Sequence, residues 1–201
     1  VAGAGLSSSV IIILGFANLL ADGFSMAVSN YLGTRAENQH RIKIRNRELE
    51  EIKRFPEGEV EEIRQIYARK GFEGRILDDA VDVITSDEKT WVDTMVQEEF
   101  GLSLQSHDPL KAGLATFGAF CLVGFIPLMT YVANWLSPGL IDYAFGLSAG
   151  LTVIAFFIVG AMKGRFVDQG WLVSGLETVA IGGIAAGMAF GVGLLLKGLV
   201  A

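Results

Sequence analysis

The stretch AGLATFGAFCLVGFIPLMTYVANWL (residues 112–136) runs for 25 residues without an Asp, Glu, Lys or Arg. A helix needs about 20 apolar residues to cross the hydrocarbon core of a bilayer, so this stretch is long enough to span a membrane. Three other runs, at residues 10–32, 143–162 and 171–196, are similarly apolar. Over the whole chain, 51 % of the residues are hydrophobic and the mean hydropathy is +0.46. These features predict an all-α membrane protein, a bundle with four transmembrane helices in this chain.

The charged residues are concentrated between the first and the second apolar run. Of the 16 basic and 22 acidic residues, 13 and 18 respectively lie between Arg35 and Lys111. Lys and Arg collect in the cytoplasmic loops of membrane proteins, so residues 35–108, called the charged segment below, are predicted to be cytoplasmic. The excess of acidic residues disfavours nucleic acid as a partner and favours a cation. Three domains are therefore expected, with membrane parts at residues 1–34 and 109–201 on either side of the charged segment.

The charged segment predicts three helices. The first continues the preceding span through residues 38–55, and the second begins at Pro56 and ends at Gly71, residue types suited to a helix start and a helix end. The third covers residues 76–102 and contains a break at TSDE (residues 85–88). Within this break, the first or the second residue is expected to cap the helix that follows.

Glutamates recur in the charged segment at helical spacing. They form two ExxE pairs and one Met-xxx-Glu pair, namely Glu48, Glu51, Glu59, Glu62, Met95 and Glu99. Residues three or four apart share a helix face, and carboxylates projecting from neighbouring helices build divalent metal sites in helical bundles. The alternative is a solvated acidic face with intrahelical ion pairs such as Glu50–Arg54, and the spacing alone leaves both interpretations open.

Three residues inside the predicted spans are candidates for a transport pathway: Asp22, Met26 and Glu177. An ionisable side chain within a span costs about 2.5–3.5 kcal/mol on insertion scales, so it usually faces a polar interior and carries function. Met26 follows Asp22 by four residues and shares its helix face. A carboxylate with a thioether suits a borderline ion such as Fe²⁺ better than Mg²⁺ or Ca²⁺. Core packing of Met26, a structural hydrogen bond of Asp22 and a partly exposed position of Glu177 are the alternatives.

The stretches ANLLADGFSMAVSNYL (residues 17–32) and WVDTMVQEEFGL (residues 91–102), together with the spacing of the Glu pairs, resemble the prokaryotic branch of the vacuolar iron transporter family of Fe²⁺/H⁺ exchangers. The resemblance covers essentially the whole chain. It implies a subunit with five transmembrane helices, in which VAGAGLSSS (residues 1–9) would be the tail of the first helix and residues 10–32 the second. It further implies a homodimer with the transport pathway at the subunit interface, and a charged segment that binds metal.

The resemblance also implies roles for particular residues. Met26 matches the pathway methionine of the second helix, whereas Asp22 is our own addition to that site. Val96 occupies a position where some relatives carry a second methionine, and Asn30 one where other branches have Glu. The positions that correspond to metal ligands of the cytoplasmic domain are Glu48, Glu51, Glu59, Glu62, Met95 and Glu99.

The function implied by the resemblance is secondary transport of Fe²⁺, and of Mn²⁺, Co²⁺, Ni²⁺ or Zn²⁺, out of the cytoplasm in exchange for protons. The expected location is a prokaryotic plasma membrane. No enzymatic activity and no organic cofactor are expected, because the sequence offers neither a nucleophile-and-base pairing nor a phosphate-cradling loop. The rival class is a membrane-tethered, ferritin-like metal sink or sensor. Asp22 and Glu177 argue against this class, since a mere anchor does not need ionisable groups in hydrocarbon.

Overall fold

The computed structural model describes residues 5–199, and the elements in this range are all helical. They are α1 (Ser8–Arg54), α2 (Pro56–Arg69), α3 (Gly74–Thr85), α4 (Glu88–Glu98), α5 (Pro109–Leu136), α6 (Ala144–Phe166), α7 (Trp171–Leu195) and a terminal 3₁₀ turn (Leu196–Leu199). Four of the helices, α1, α5, α6 and α7, are long and apolar enough to cross a bilayer, which confirms the prediction of an all-α membrane protein. The predicted tail of a preceding span falls partly on residues 1–4, which lie outside the described residues.

The described chain forms two compact units. The charged unit comprises residues 28–113 and contains α2, α3 and α4 together with the C-terminal part of α1. The apolar unit comprises residues 5–27 and 114–199, with the N-terminal part of α1, most of α5, and α6 and α7.

Small residues allow α6 and α7 to pack closely in the apolar unit. A Cβ added at Gly160 of α6 would lie 2.6 Å from the Ser174 carbonyl oxygen, and one at Gly164 would lie 2.9 Å from the Ser174 Cβ. Phe157 of α6 covers Gly175 of α7 in the same way, 2.7 Å from an added Cβ. Small residues at the interface are a common way for membrane helices to approach each other, so the contact depends on the glycines.

Helix α7 also carries three glycines at four-residue spacing, Gly183, Gly187 and Gly191, which are not used in this contact. A Cβ added at Gly183, Gly187 or Gly191 would meet no other described residue within 4 Å. This face of α7 is therefore open in the described part of the chain, and the α6–α7 contact is made elsewhere on the helix.

We expect Gly160→Ala to destabilise the protein by about 1–3 kcal/mol, the usual cost of overpacking. The added methyl group would collide with a backbone carbonyl of α7, which cannot move aside as a flexible side chain can. The measurement is thermal unfolding of the purified protein in detergent. Gly150→Ala is the matched control, because Gly150 lies in the same helix with nothing within 4 Å. Equal melting temperatures for the two variants would contradict the prediction.

The charged unit has an apolar core formed by α2, α3, α4 and the end of α1. Ile63, Val81, Val92 and Met95 have no exposed surface. Helix α2 begins at Pro56, whose missing N–H costs nothing at a first helical position. These residues give the unit a core that is closed to solvent.

The third predicted helix is in fact two helices, and their junction differs from the expectation. Asp87, rather than Thr85 or Ser86, caps α4: its carboxylate accepts a hydrogen bond from the Thr90 N–H at 2.9 Å. The Thr85 and Ser86 hydroxyls donate backwards to carbonyl oxygens of α3 instead. Several residues in TSDE are good capping types, and the hydroxyls of the first two are used to end the preceding helix.

The return segment (residues 101–108) follows α4 and runs back beside the end of α1. The Asn38 amide donates to the His107 carbonyl oxygen at 2.8 Å, and the Arg41 guanidinium donates to the Gln105 carbonyl oxygen. Asn38 and Arg41 are three residues apart and so share one face of α1. Polar side chains of α1 thus satisfy backbone acceptors of a segment that has no regular structure of its own.

Candidate metal site

Three neighbouring parts of the charged unit contribute the predicted metal ligands. These are α1 with Glu48 and Glu51, α2 with Glu59 and Glu62, and α4 and the residue after it with Met95 and Glu99. The carboxylates act on one another electrostatically, since Glu59 experiences repulsion from the other four. The fold therefore gathers the five glutamates, which are up to 51 positions apart in sequence, into a single acidic cluster.

Two of these carboxylates are buried. Glu48 is 1 % exposed and Glu59 is 7 % exposed. Burial of a charged group is costly unless it is paired, and Glu48 accepts a hydrogen bond from the Arg47 guanidinium at 3.1 Å. The Oε2 atom of Glu59 is buried and has no hydrogen-bond partner among the described residues. A buried carboxylate oxygen without a donor, among other carboxylates, is suited to bind a cation.

The pKa values of the cluster reflect this crowding. Desolvation, together with repulsion from Glu62 and Glu48, raises the pKa of Glu59 to about 7. Desolvation of the carboxyl group and repulsion from Glu48 and Glu62 likewise raise the pKa of Glu99 to about 7, although the residue as a whole is exposed. Desolvation also raises the pKa of Glu48, against the opposing hydrogen bond from Arg47. Near neutral pH, protons and metal ions would therefore compete for the same oxygens.

The side chains are close but do not yet form a chelating group. Among residues 5–199, no three Asp, Glu, His or Cys side chains are positioned to hold one metal ion. Glu62 and Glu99 are exposed on the surface, and Glu51 is partly exposed. The backbone thus provides the cluster, while coordination of an ion would require rotation of these side chains.

Met95, which the family resemblance implies as a sulfur ligand, has no exposed surface and belongs to the apolar core of the charged unit. Its neighbour Val96 is 1 % exposed and belongs to the same core. In this arrangement the thioether of Met95 is part of the apolar core.

Sequence reasoning missed two residues of the cluster, Arg47 and Phe100. The Arg47 guanidinium lies 3.1 Å from a Glu48 carboxylate oxygen, 3.5 Å from a Glu51 carboxylate oxygen and 4.7 Å from the centre of the Phe100 ring. The spacing of Arg47 and Glu51, four residues apart on one helix, is the signal that was available. Nothing in the sequence indicates that Phe100, after the end of α4, lies beside Arg47.

The raised pKa values predict how the stability of the metal-free protein depends on pH. An acid whose pKa is raised from 4.5 when unfolded to about 7 when folded stabilises the fold fully below 4.5, and this contribution is lost as the pH rises through about 7. The melting temperature in the presence of a chelator should therefore rise as the pH falls from about 8 to about 5.

The control for this prediction is the double variant Glu59→Gln, Glu99→Gln, which should show a flatter dependence over the same range. The prediction would be contradicted if the melting temperature of the parent protein fell as the pH was lowered from about 8 to about 5. It would also be contradicted if the double variant showed the same dependence on pH as the parent protein.

The residues proposed for a transport pathway lie on two helices of the apolar unit. Asp22 and Met26 are one turn apart on α1; Asp22 is exposed and Met26 is 49 % exposed. Glu177 lies on α7, where its carboxylate is 3.5 Å from the Lys163 ammonium group of α6. Asp22 and Met26 are thus available on the surface of a single chain, whereas Glu177 has a cationic partner.

The helices and the acidic cluster define an all-α integral membrane protein with a charged helical segment between its first two described spans. The model of the VIT family matches residues 1–194, and the chain belongs to this family. This confirms the resemblance to the vacuolar iron transporter family.

The chain is similar to the vacuolar iron transporter of Toxoplasma gondii, with 35 % identity over 201 residues that cover 97 % of this chain and 67 % of the relative. It is also similar to vacuolar iron transporter 1 of Arabidopsis thaliana, with 36 % identity over 191 residues that cover 94 % of this chain and 74 % of the relative. The vacuolar iron transporter of Plasmodium falciparum is 31 % identical over 201 residues, covering 97 % of this chain and 74 % of its own.

Proposed function

We propose that the protein carries Fe²⁺ out of the cytoplasm across a membrane in exchange for protons, and that the acidic cluster gathers the ion first. One observation carries the proposal: the buried Glu59 carboxylate lies among four other glutamates and has an oxygen without a hydrogen-bond partner among residues 5–199. Membership of the VIT family and the relatives named as iron transporters support iron as the substrate. We assign the chain no enzymatic activity and no organic cofactor.

The proposal divides the chain into three domains. Residues 35–108 form a cytoplasmic metal-binding domain, and residues 1–34 and 109–201 form the membrane part. Basic residues near the ends of the flanking spans, such as Arg35 and Lys111, support this orientation. Clustered negative charge attracts cations and raises their concentration locally, so this domain would supply the pathway with ions.

Asp22 and Met26 would then bind the ion within the membrane. Both side chains are exposed on the single chain, which favours a homodimer in which the two copies of α1 enclose the pathway. An oxygen and a sulfur ligand suit Fe²⁺ and other borderline ions, so Mn²⁺, Co²⁺, Ni²⁺ and Zn²⁺ are proposed as further substrates. Glu177 would act at the end of the pathway in partnership with Lys163. The resemblance to the prokaryotic branch leads us to propose a plasma membrane as the location.

Proton exchange is supported by the chemistry of the carboxylates. The pKa values of Glu59 and Glu99, about 7, mean that these groups are partly protonated near neutral pH. A metal ion binds the ionised form, so its binding releases protons. The same competition, at carboxylates reached from the opposite side of the membrane, would release the ion there.

The test is transport by the full chain in proteoliposomes that contain a metal-quenched dye and a pH-sensitive dye. Addition of Fe²⁺ outside should quench the first dye while protons move in the opposite direction. Liposomes without protein are the control for leakage. Metal binding without entry would favour the alternative of a membrane-tethered metal sink, and entry without proton movement would overturn the exchange mechanism.

A further inference from the structure

Arg47 is the cation that the fold places at the acidic cluster. Its guanidinium lies 3.1 Å from the buried Glu48 carboxylate and 3.5 Å from the Glu51 carboxylate. Among the residues that the structure describes, every ion pair made by the five clustered glutamates involves Arg47. The other ion pairs of the charged unit lie outside the cluster, as with Arg54 and Glu50.

Phe100 holds the same guanidinium from another side. The centre of its ring is 4.7 Å from the Arg47 Cζ atom, within the range of a cation–π contact. Arg47 itself is exposed to solvent, and its long side chain can leave the carboxylates without disturbing the core. The guanidinium can keep this contact with Phe100 when it moves away from the carboxylates.

We propose that Arg47 is an internal counter-ion of the acidic cluster, which an incoming divalent cation must displace from Glu48 and Glu51. This inference rests on the proposed function, because it assigns a role in the affinity of that metal site. Because a cation must break the contacts of Arg47 with Glu48 and Glu51 in order to bind, these contacts lower the affinity of the cluster for every cation.

Displacement of Arg47 also separates cations by charge. A monovalent ion that replaces the guanidinium brings one positive charge for the one it removes, so it gains little. A divalent ion brings twice that charge to the same carboxylates, and its stronger attraction offsets the loss of their ion pairs with Arg47. Arg47 therefore makes the cluster selective for divalent cations over the far more abundant monovalent ions.

The experiment measures Mn²⁺ binding to the full chain in detergent, by the electron paramagnetic resonance signal of free Mn²⁺. Arg47→Gln should tighten Mn²⁺ binding about three- to tenfold, since the guanidinium no longer competes for Glu48 and Glu51. The same variant should lose affinity more steeply than the parent protein as KCl is raised, because K⁺ then competes with Mn²⁺ for unpaired carboxylates. Arg54→Gln is the matched control, with the same change of net charge on the same helix.

The binding results for the two variants and the parent protein test the counter-ion role separately from the proposed function. Tighter and more KCl-sensitive binding in Arg47→Gln, but not in Arg54→Gln, supports the counter-ion role. Unchanged or weaker binding in Arg47→Gln, or an equal gain in Arg54→Gln, overturns it while leaving the metal site intact. Absence of Mn²⁺ binding in the parent protein overturns both this inference and the proposed function. Melting temperatures of both variants verify that they are folded.

Discussion

Replacement of Met26 by Ala is expected to reduce Fe²⁺ flux into proteoliposomes about tenfold or more, the scale of effect seen when the environment of a bound metal is damaged. Met26 offers the soft ligand on the α1 face that also carries Asp22, and a borderline ion gains from a thioether that water cannot replace. Binding of Mn²⁺ to the acidic cluster should stay unchanged, because Met26 belongs to the apolar unit and the cluster to the charged unit.

The control for this prediction is Met129→Ala on α5. Met129 is 50 % exposed, which matches the 49 % of Met26, and it lies within a predicted span. Its replacement removes the same number of atoms and should leave the flux nearly unchanged. Equal loss of flux in the two variants would show that Met26 has only a packing role. If Met26→Ala also lost Mn²⁺ binding at the acidic cluster, Met26 could not be assigned to a pathway separate from that cluster.

Replacement of Glu59 by Gln should change stability and metal binding in opposite directions. In the metal-free protein at about pH 8 the variant should gain about 1–3 kcal/mol of stability, since it no longer buries a carboxylate among other carboxylates. Its affinity for Mn²⁺ should fall about tenfold or more, because the partnerless Oε2 atom is lost as a charged ligand. The measurements are thermal unfolding with a chelator present and Mn²⁺ binding at the same pH.

Glu57→Gln is the matched control, since Glu57 lies in the first turn of the same helix and is exposed. It should lose a little stability, because an acidic side chain near a helix N-terminus is favourable, and it should bind Mn²⁺ with nearly the affinity of the parent protein. If Glu59→Gln were less stable than the parent protein, Glu59 would not be destabilised by the neighbouring carboxylates. If it bound Mn²⁺ as tightly as Glu57→Gln does, Glu59 would not be a metal ligand.

Local patterns in the sequence predict the helices well. The charge-free run at residues 112–136 is a single helix, α5, because the length and apolarity needed to cross a bilayer are properties of a contiguous segment. The start of α2 at Pro56 and the positive φ of +93° at Gly71 after its end follow from the conformational limits of these two residues. The exception is the junction at TSDE, where adjacent residues have similar capping ability.

The candidate site is only partly predictable, because its properties arise between helices. Spacing places Glu48 and Glu59 on helix faces, but does not reveal that both are buried. Nor does it reveal that, within the described part of the chain, Glu48 has a cationic partner and Glu59 has none. The family resemblance implies that Met95 is a ligand, whereas the tertiary structure packs it into the core. The contact between Arg47 and Phe100 joins residues 53 positions apart and depends on where the end of α4 meets α1.

The return segment has a consequence for the architecture of the chain as a whole. Because the Asn38 side chain bonds to the His107 carbonyl oxygen, the chain enters and leaves the intervening helices at nearly the same point. A folded insert with adjacent ends can be accommodated within a host without stretching it. Residues 39–106 therefore form an insert whose two ends lie side by side. We expect changes of length within residues 39–106 to leave Asn38 and His107 side by side.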